Sequence, residues 1–232
     1  MTVLEAVDLT KTFVGGDGGL LTVLDGVSLQ VERGEMVAIV GASGAGKSTL
    51  LHLLGALDRP TRGRVMIGGL ALDGLDDDAL ASLRNRSVGF VFQFHHLLRE
   101  FSALENVMIP LRLGGWSVPK ATQRATELLT RVGLGGRMTH RPAALSGGEQ
   151  QRTAVARALA VDPPIVLADE PSGNLDHANA ERLHDLFDEL SRDLEIAMVI
   201  ATHNRSLASR ADRVLLLEDG KLSETNVGEA VP

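Results

Sequence analysis

The chain has 232 residues, 44% of them hydrophobic and 23% charged, enough for one substantial core and ordinary for a globular protein. A formal charge of −7 argues against a surface built to grip nucleic acid, and the lack of cysteine excludes disulfides, thiolate metal sites and cysteine nucleophiles. No run approaches the ~20 apolar residues of a bilayer-spanning helix, and residues 1–5 open no basic-then-apolar signal, so the chain reads as cytosolic.

In chain order, residues 4–9 and 23–31 alternate like antiparallel strands around the turn Gly15-Gly16-Asp17-Gly18-Gly19. The apolar run Met36-Val37-Ala38-Ile39-Val40 leads into Gly41-Ala42-Ser43-Gly44-Ala45-Gly46-Lys47-Ser48, and Thr49 to Leu54 then reads as a helix. Residues 64–69 predict another strand, entered through the turn Pro60-Thr61-Arg62-Gly63. Between 104 and 161 the pattern is helical, with Leu128, Leu129 and Val132, then Val155, Ala158 and Leu159, at helical spacing. Residues 165–168 and 197–201 are short apolar runs with little alternation, as in parallel strands covered on both faces. Leu183, Leu186, Phe187, Leu190 and Leu194 form a helical stripe that packs a core, and residues 223–232 read as a loose polar tail. The expected fold is α/β: a phosphate-loop core with a mostly parallel sheet, an antiparallel side sheet and a helical insertion. It forms a single domain over 1–232, with the core and β sub-lobe at about 1–92 and 163–222 and the helical sub-lobe at about 94–162.

The 41–48 segment is G-x-x-x-x-G-K-S between a strand and a helix, the context that makes this pattern a phosphate cradle. Its glycines let the backbone curl until N–H groups meet phosphate oxygens, Lys47 reaches the β- and γ-phosphates, and the Ser48 hydroxyl offers a Mg²⁺ ligand. Ile165-Val166-Leu167-Ala168-Asp169 is an apolar strand ending in a carboxylate suited to the same metal, and Glu170 follows, placed to orient or activate water. Leu145-Ser146-Gly147-Gly148-Glu149 begins a second helix, with Ser146 as cap and two glycines that admit a phosphate. A chain with two such helix starts, remote in sequence, can use the second on a nucleotide held by another copy of itself.

With Gln93 after an apolar strand, the loop Ser172-Gly173-Asn174-Leu175-Asp176 and His203 after the last core run, these motifs stand in the order seen in ATP-binding subunits of ABC transporters, which the chain resembles over essentially its whole length. The resemblance implies two copies packed head to tail around two ATP molecules, with Mg²⁺. ATP would meet Gly41, Ala42, Ser43, Gly44, Ala45, Gly46, Lys47, Ser48 and Thr49 of one copy and Ser146, Gly147 and Gly148 of the other. Phe13, where tyrosine is more usual, would stack on adenine. Gln93 would approach metal and water, His203 the γ-phosphate, and Asp176 the seam between copies. The implied catalytic set is Glu170, His203, Gln93 and Lys47, and the implied metal set is Ser48, Gln93 and Asp169. Asn204 stands where an acidic residue is usual.

Gln93-Phe94-His95-His96-Leu97-Leu98, followed by Phe101-Ser102-Ala103-Leu104-Glu105-Asn106-Val107, looks like the ATPase subunit of lipoprotein-releasing systems. That likeness implies a peripheral location on the cytoplasmic side of the inner membrane, with permease subunits docking a short helix near Gln93–Leu98 on apolar residues such as Phe94, Leu97 and Leu98. His95 and His96 are adjacent, a poor arrangement for two ligands, and no metal site is expected there. Three alternatives stay open: the ATPase of a macrolide-type efflux or cell-division complex, a soluble ABC ATPase, and a regulatory module without turnover.

Overall fold

The computed structural model describes residues 1–16 and 18–230; Asp17 of the expected turn and the last two residues of the expected tail lie outside the described residues. β1 (Thr2–Val14) and β2 (Leu20–Glu32) form a longer antiparallel hairpin than alternation predicts, with Leu4 facing Val31 and Ala6 facing Leu29. The extension is exposed and mixed in character, so only its buried part carried a period-2 signal. β3 (Met36–Val40) is buried at every residue, and α1 (Lys47–Leu54) starts two residues earlier than its apolar pattern. β4 (Arg62–Ile67) and β5 (Leu70–Ala71) join the hairpin in a sheet of order β2-β1-β4-β5.

α2 (Asp77–Ser87), capped by Asp76, leads to β6 (Val88–Phe92). The helical stretch follows as α3 (Ala103–Leu113), α4 (Val118–Arg131) and, after a 3₁₀ turn, α5 (Gly147–Ala158). β7 (Ile165–Asp169), α6 (His177–Leu194), β8 (Ala197–Ala201), α7 (Arg205–Ala208) and β9 (Arg213–Glu218) complete the core. The second sheet has the order β10-β9-β3-β8-β7-β6, in which β9, β3, β8, β7 and β6 run parallel.

The expectation of a loose tail from residue 223 is overturned. β10 (Lys221–Thr225) pairs antiparallel with β9, and α8 (Val227–Ala230) follows. β10 is the sheet's outermost strand and largely exposed, so it needs no apolar run and left none to read.

Two apolar clusters flank the parallel sheet. One joins the β1–β2 hairpin, α1 and the sheet face carrying Val37, Ile39, Leu167 and Val199. The other joins α3, α4, α5 and α6 to the face carrying Val91, Val166, Met198 and Ile200. Successive strand residues alternate between faces, so these unbroken apolar runs serve both clusters. The strands' carboxyl ends thereby bring the loops after β3, β7 and β8 to one edge, where ligands bind in such sheets.

Candidate functional site

An open cleft of about 330 Å³ lies at that edge, lined by Val23, Ser43, Gly44, Gly46, Lys47, Ser48, Thr49, Asp169 and Glu170. Its floor is the turn from β3 into α1. Gly41 (φ 151°) and Gly46 (φ 104°) take backbone conformations that side chains disfavour. A Cβ on Gly41 would sit 2.4 Å from the Leu217 carbonyl oxygen, and one on Gly46 2.8 Å from Val23 Cγ1. Only glycine therefore lets the loop pass that close to β9 and β2. Gly46 is the N-cap of α1 and offers no side-chain cap, so the first-turn N–H groups and the helix dipole face the cleft.

Lys47 is almost fully buried, and its ammonium donates to the carbonyls of Gly41 (2.9 Å) and Ala42 (3.2 Å). The cation is thus folded onto its own loop, occupying the hollow that phosphate oxygens would fill.

Asp169 ends β7 and Glu170 turns out of it with φ 45°, a conformation of appreciable cost for a residue with a Cβ. The Glu170 N–H donates to the Ala201 carbonyl at 2.8 Å, locking the loop to the end of β8. Its carboxylate meets His203 twice: Oε1 lies 2.8 Å from Nδ1, and Oε2 accepts from the His203 N–H at 3.2 Å. The two residues implied at the γ-phosphate are therefore in contact across 33 positions of sequence. Asn204 caps α7 by accepting from the Leu207 N–H at 3.0 Å, a role its carbonyl fills as an acidic residue would.

Gln93 does not line the cleft. Gln93 is bound twice by Asn174: Gln93 Nε2 donates to Asn174 Oδ1, and Asn174 Nδ2 donates to the Gln93 main-chain carbonyl, both at 3.1 Å. Asn174 is a residue that sequence reasoning placed in a loop without a partner. Two more go unnoticed there: Gln151 donates to the Phe92 carbonyl at 3.2 Å, and Arg157 to the His95 and His96 carbonyls at 2.8 Å. Both project from α5 and bond main-chain carbonyls of a distant segment, so nothing in the local sequence marks them. Within that segment, Phe94 and Leu98 are exposed.

Ser146, Gly147 and Gly148 do not line the cleft either. Ser146 caps α5 in a reciprocal box with Glu149, and Ser146 and Gly147 are exposed. Ser146, through its N–H and hydroxyl, with Arg137 beside it, lowers the Glu149 carboxyl to about 2. Gly148 is pressed against α6, where a Cβ would fall 2.6 Å from Asn179 Oδ1. The same Asn179 donates from its backbone and side chain to Asp176, the N-cap of α6, and holds that carboxyl below its usual range.

Phe13 is exposed near the hairpin tip, with the Lys11 ammonium 5.1 Å from its ring centroid and Lys11 itself paired to Asp58 at 2.7 Å. The cation–π contact holds the ring outward, away from the core.

Residues 24–173 match the family model described as ABC transporter. The chain is 52% identical to the lipoprotein-releasing system ATP-binding protein LolD of Geobacter metallireducens, over 95% of this chain and 98% of that protein. It is 55% identical to the protein of the same name from Xylella fastidiosa, over 98% and 94%. Among solved structures, the dimeric ATP-binding cassette MJ0796, in a post-hydrolysis state with ADP and Pi, superposes with a TM-score of 0.88 at 39% identity, over 97% of this chain and 98% of that one. Family model, relatives and the phosphate-loop cleft agree: this chain belongs to the ABC transporter family, as an ATP-binding cassette that hydrolyses ATP for a transporter.

Proposed function

We propose that the chain is the ATPase subunit of a lipoprotein-releasing transporter, working as a head-to-tail pair that closes on two ATP molecules. One observation carries the pairing. The cleft holds Lys47, Ser48, Asp169 and Glu170 but none of Ser146, Gly147 and Gly148, which sit at another helix start with Ser146 and Gly147 exposed and Gly148 buried against α6. A triphosphate in one cleft is therefore enclosed only when a second copy presents its α5 N-terminus, where glycines and the dipole suit a γ-phosphate. The relatives' names favour lipoprotein release over efflux or cell-division complexes.

In this reading Gly41 to Thr49 wrap the phosphates with backbone N–H groups, and Lys47 leaves its two carbonyls for phosphate oxygens. Phe13 stacks on adenine. Glu170 takes the proton of the attacking water, the His203 main-chain N–H fixes the carboxylate's orientation, and the single ring N–H of His203 donates toward the γ-phosphate. Gln93 exchanges its Asn174 partner for the water's neighbourhood, and Asp176 lies at the seam. Ser48 and Asp169 are hard oxygen donors on one cleft wall, and the described residues hold no cluster of three or more His, Asp or Glu fit for a metal. So sparse a set suits Mg²⁺, which keeps water and phosphate ligands, with Gln93 as a third protein donor. The ion would neutralise charge developing on the phosphate oxygens.

We also read residues 94–162 as a helical sub-lobe beside the core and β sub-lobe of 1–92 and 163–222, with α3, α4 and α5 packed on the sheet face of Val91, Val166, Met198 and Ile200. No described helix is long and apolar enough to cross a membrane. Attachment on the cytoplasmic side of the inner membrane would then come through permease subunits.

Glu170→Gln tests the pairing. The amide keeps the size and shape of the side chain but cannot take a proton, so the variant in ATP and Mg²⁺ should elute as a dimer and turn over at least 100-fold more slowly. A Glu170→Gln variant that stays monomeric in saturating ATP rules the sandwich out.

A further inference from the structure

Behind the Glu170–His203 pair lies a second layer of polar groups that the cleft does not use. His184, on α6, has no solvent exposure, a costly place for an imidazole unless its nitrogens are engaged. Its Nε2 lies 3.0 Å from Ser172 Oγ, and its Nδ1 faces Glu181 Oε1 at 3.4 Å, outside hydrogen-bonding geometry. Burial pushes the His184 pKa below the ordinary histidine range, so the ring is neutral and carries one N–H. Glu181 is held below its usual range by the Ser206 hydroxyl, with help from Arg210, and stays ionised. A carboxylate only accepts, so the proton belongs on Nδ1 and Nε2 accepts from the Ser172 hydroxyl.

The two ends of this line matter. Ser172 is two residues after Glu170, in a turn closed by the Gly173 N–H donating to the Glu170 carbonyl at 3.0 Å. Ser206 is three residues after His203, in α7, and donates to Glu181 Oε1 at 2.8 Å. The bonds Ser172–His184 and Glu181–Ser206, anchored one turn apart on α6, thus join the same two segments whose tips meet as Glu170 and His203. Glu170 also sits at φ 45°, a conformation that persists only where the surroundings over-determine it. Its N–H is tied to Ala201 and its carbonyl to Gly173, and the next side chain in the loop with a buried anchor is Ser172.

We propose that His184 is a positioning residue for hydrolysis, holding the Glu170 loop in register with the His203 loop through Ser172 and Glu181. The inference rests on Glu170 being the group that takes the proton from water. Its signature is a fall in turnover without a fall in nucleotide affinity, because Lys47 and the phosphate loop are not touched by the network.

The full-length protein is purified as Ser172→Ala, Ser172→Thr, His184→Phe and the double variant Ser172→Ala/His184→Phe. Mg·ATP binding, steady-state hydrolysis and thermal midpoint are measured for each, with Glu170→Gln as control. Loss of the anchor lets the loop drift, so Ser172→Ala should lose about tenfold in kcat with KM and ATP affinity unchanged. Ser172→Thr, which keeps the hydroxyl, should restore turnover. If His184→Phe folds, the double variant should be no slower than either single change, since both cut the same link. Wild-type kcat in Ser172→Ala, with Glu170→Gln inactive, overturns the proposal and leaves the base assignment standing. An active Glu170→Gln removes the base assignment instead. A Ser172→Ala variant that loses ATP affinity in step with kcat also overturns the proposal, because the network would then be a general support of the fold.

Discussion

Glu149 shows how one side chain can stabilise a helix start and keep it available to a ligand. It accepts from the Ser146 N–H and hydroxyl at 2.8 and 2.9 Å and from Arg137 at 3.0 Å, contacts that are strongest when it is ionised. With a folded pKa of about 2 against 4.5 for the free group, its contribution is present above pH 4.5 and is lost as pH falls toward 2. Glu149→Gln, which can keep the box but not the charge, should therefore cost about 1 kcal/mol at pH 7, discounted for solvent, and less than half of that at pH 3. Urea unfolding of both proteins from pH 7 to 3 reads this directly, and a gap that stays constant across the range would refute it. The box, Ser146 with Glu149 three residues on, was legible because capping is local. So was the phosphate loop, whose eight residues fix their own backbone. The Gln93–Asn174 pair and the His184–Ser172 bond were not, since each partner becomes specific only after two distant segments meet.

At the level of elements, the decisive contact is β6 against α5. A Cβ on Gly89 would lie 2.5 Å from the Ala158 carbonyl oxygen and 3.1 Å from Val166 Cγ2, so strand and helix touch backbone to side-chain-free backbone. Such closeness puts Gln151 and Arg157 within reach of the Phe92, His95 and His96 carbonyls. The helix that presents Ser146 and Gly147 thereby also carries the Gln93–Leu98 segment. Gly89→Ala has no flexible neighbour to displace, so the two elements must separate by several tenths of an ångström. We expect a loss of about 1–3 kcal/mol in urea unfolding and a weaker hold of α5 on that segment; unchanged stability would show that the packing is looser than drawn. Elements with long apolar runs were readable in advance, as β3, β7, β8 and the α6 stripe demonstrate. α2 and β10 were missed because their burial is slight: α2 buries Leu80 and Leu83 alone, and β10 has one covered flank, so composition carried no period.

For the whole molecule, the proposed function requires ATP at one edge of the parallel sheet to be felt by a partner that crosses the membrane. A groove of about 360 Å³ runs between α2, β6 and α3, with Leu57, Phe90, Phe92, Ile109 and Leu113 among its walls and Arg84 and Arg157 within it. Phe94 (67% exposed) and Leu98 (46%) lie in the segment that α5 holds at its end. Large apolar side chains left in water are what a short amphipathic helix buries, and on the proposed function they form the surface that receives the permease helix. The same segment begins at Gln93, whose Asn174 partner belongs to the loop between Glu170 and Asp176. Insertion of a permease helix could thus shift the Gln93–Asn174 pair, and through that loop the hydrolytic carboxylate and the seam, without any contact to nucleotide. Phe94→Glu with Leu98→Glu places two charges where that helix would bury apolar surface, and should weaken binding to detergent-solubilised membrane subunits by at least 100-fold, about 3 kcal/mol. Basal ATP hydrolysis by the isolated chain should stay within twofold of wild type, since neither side chain touches the cleft. Permease binding that survives both substitutions would move the docking surface elsewhere, whereas loss of basal turnover together with binding would mean that the segment supports the cleft itself and is no separate receiver of the membrane signal.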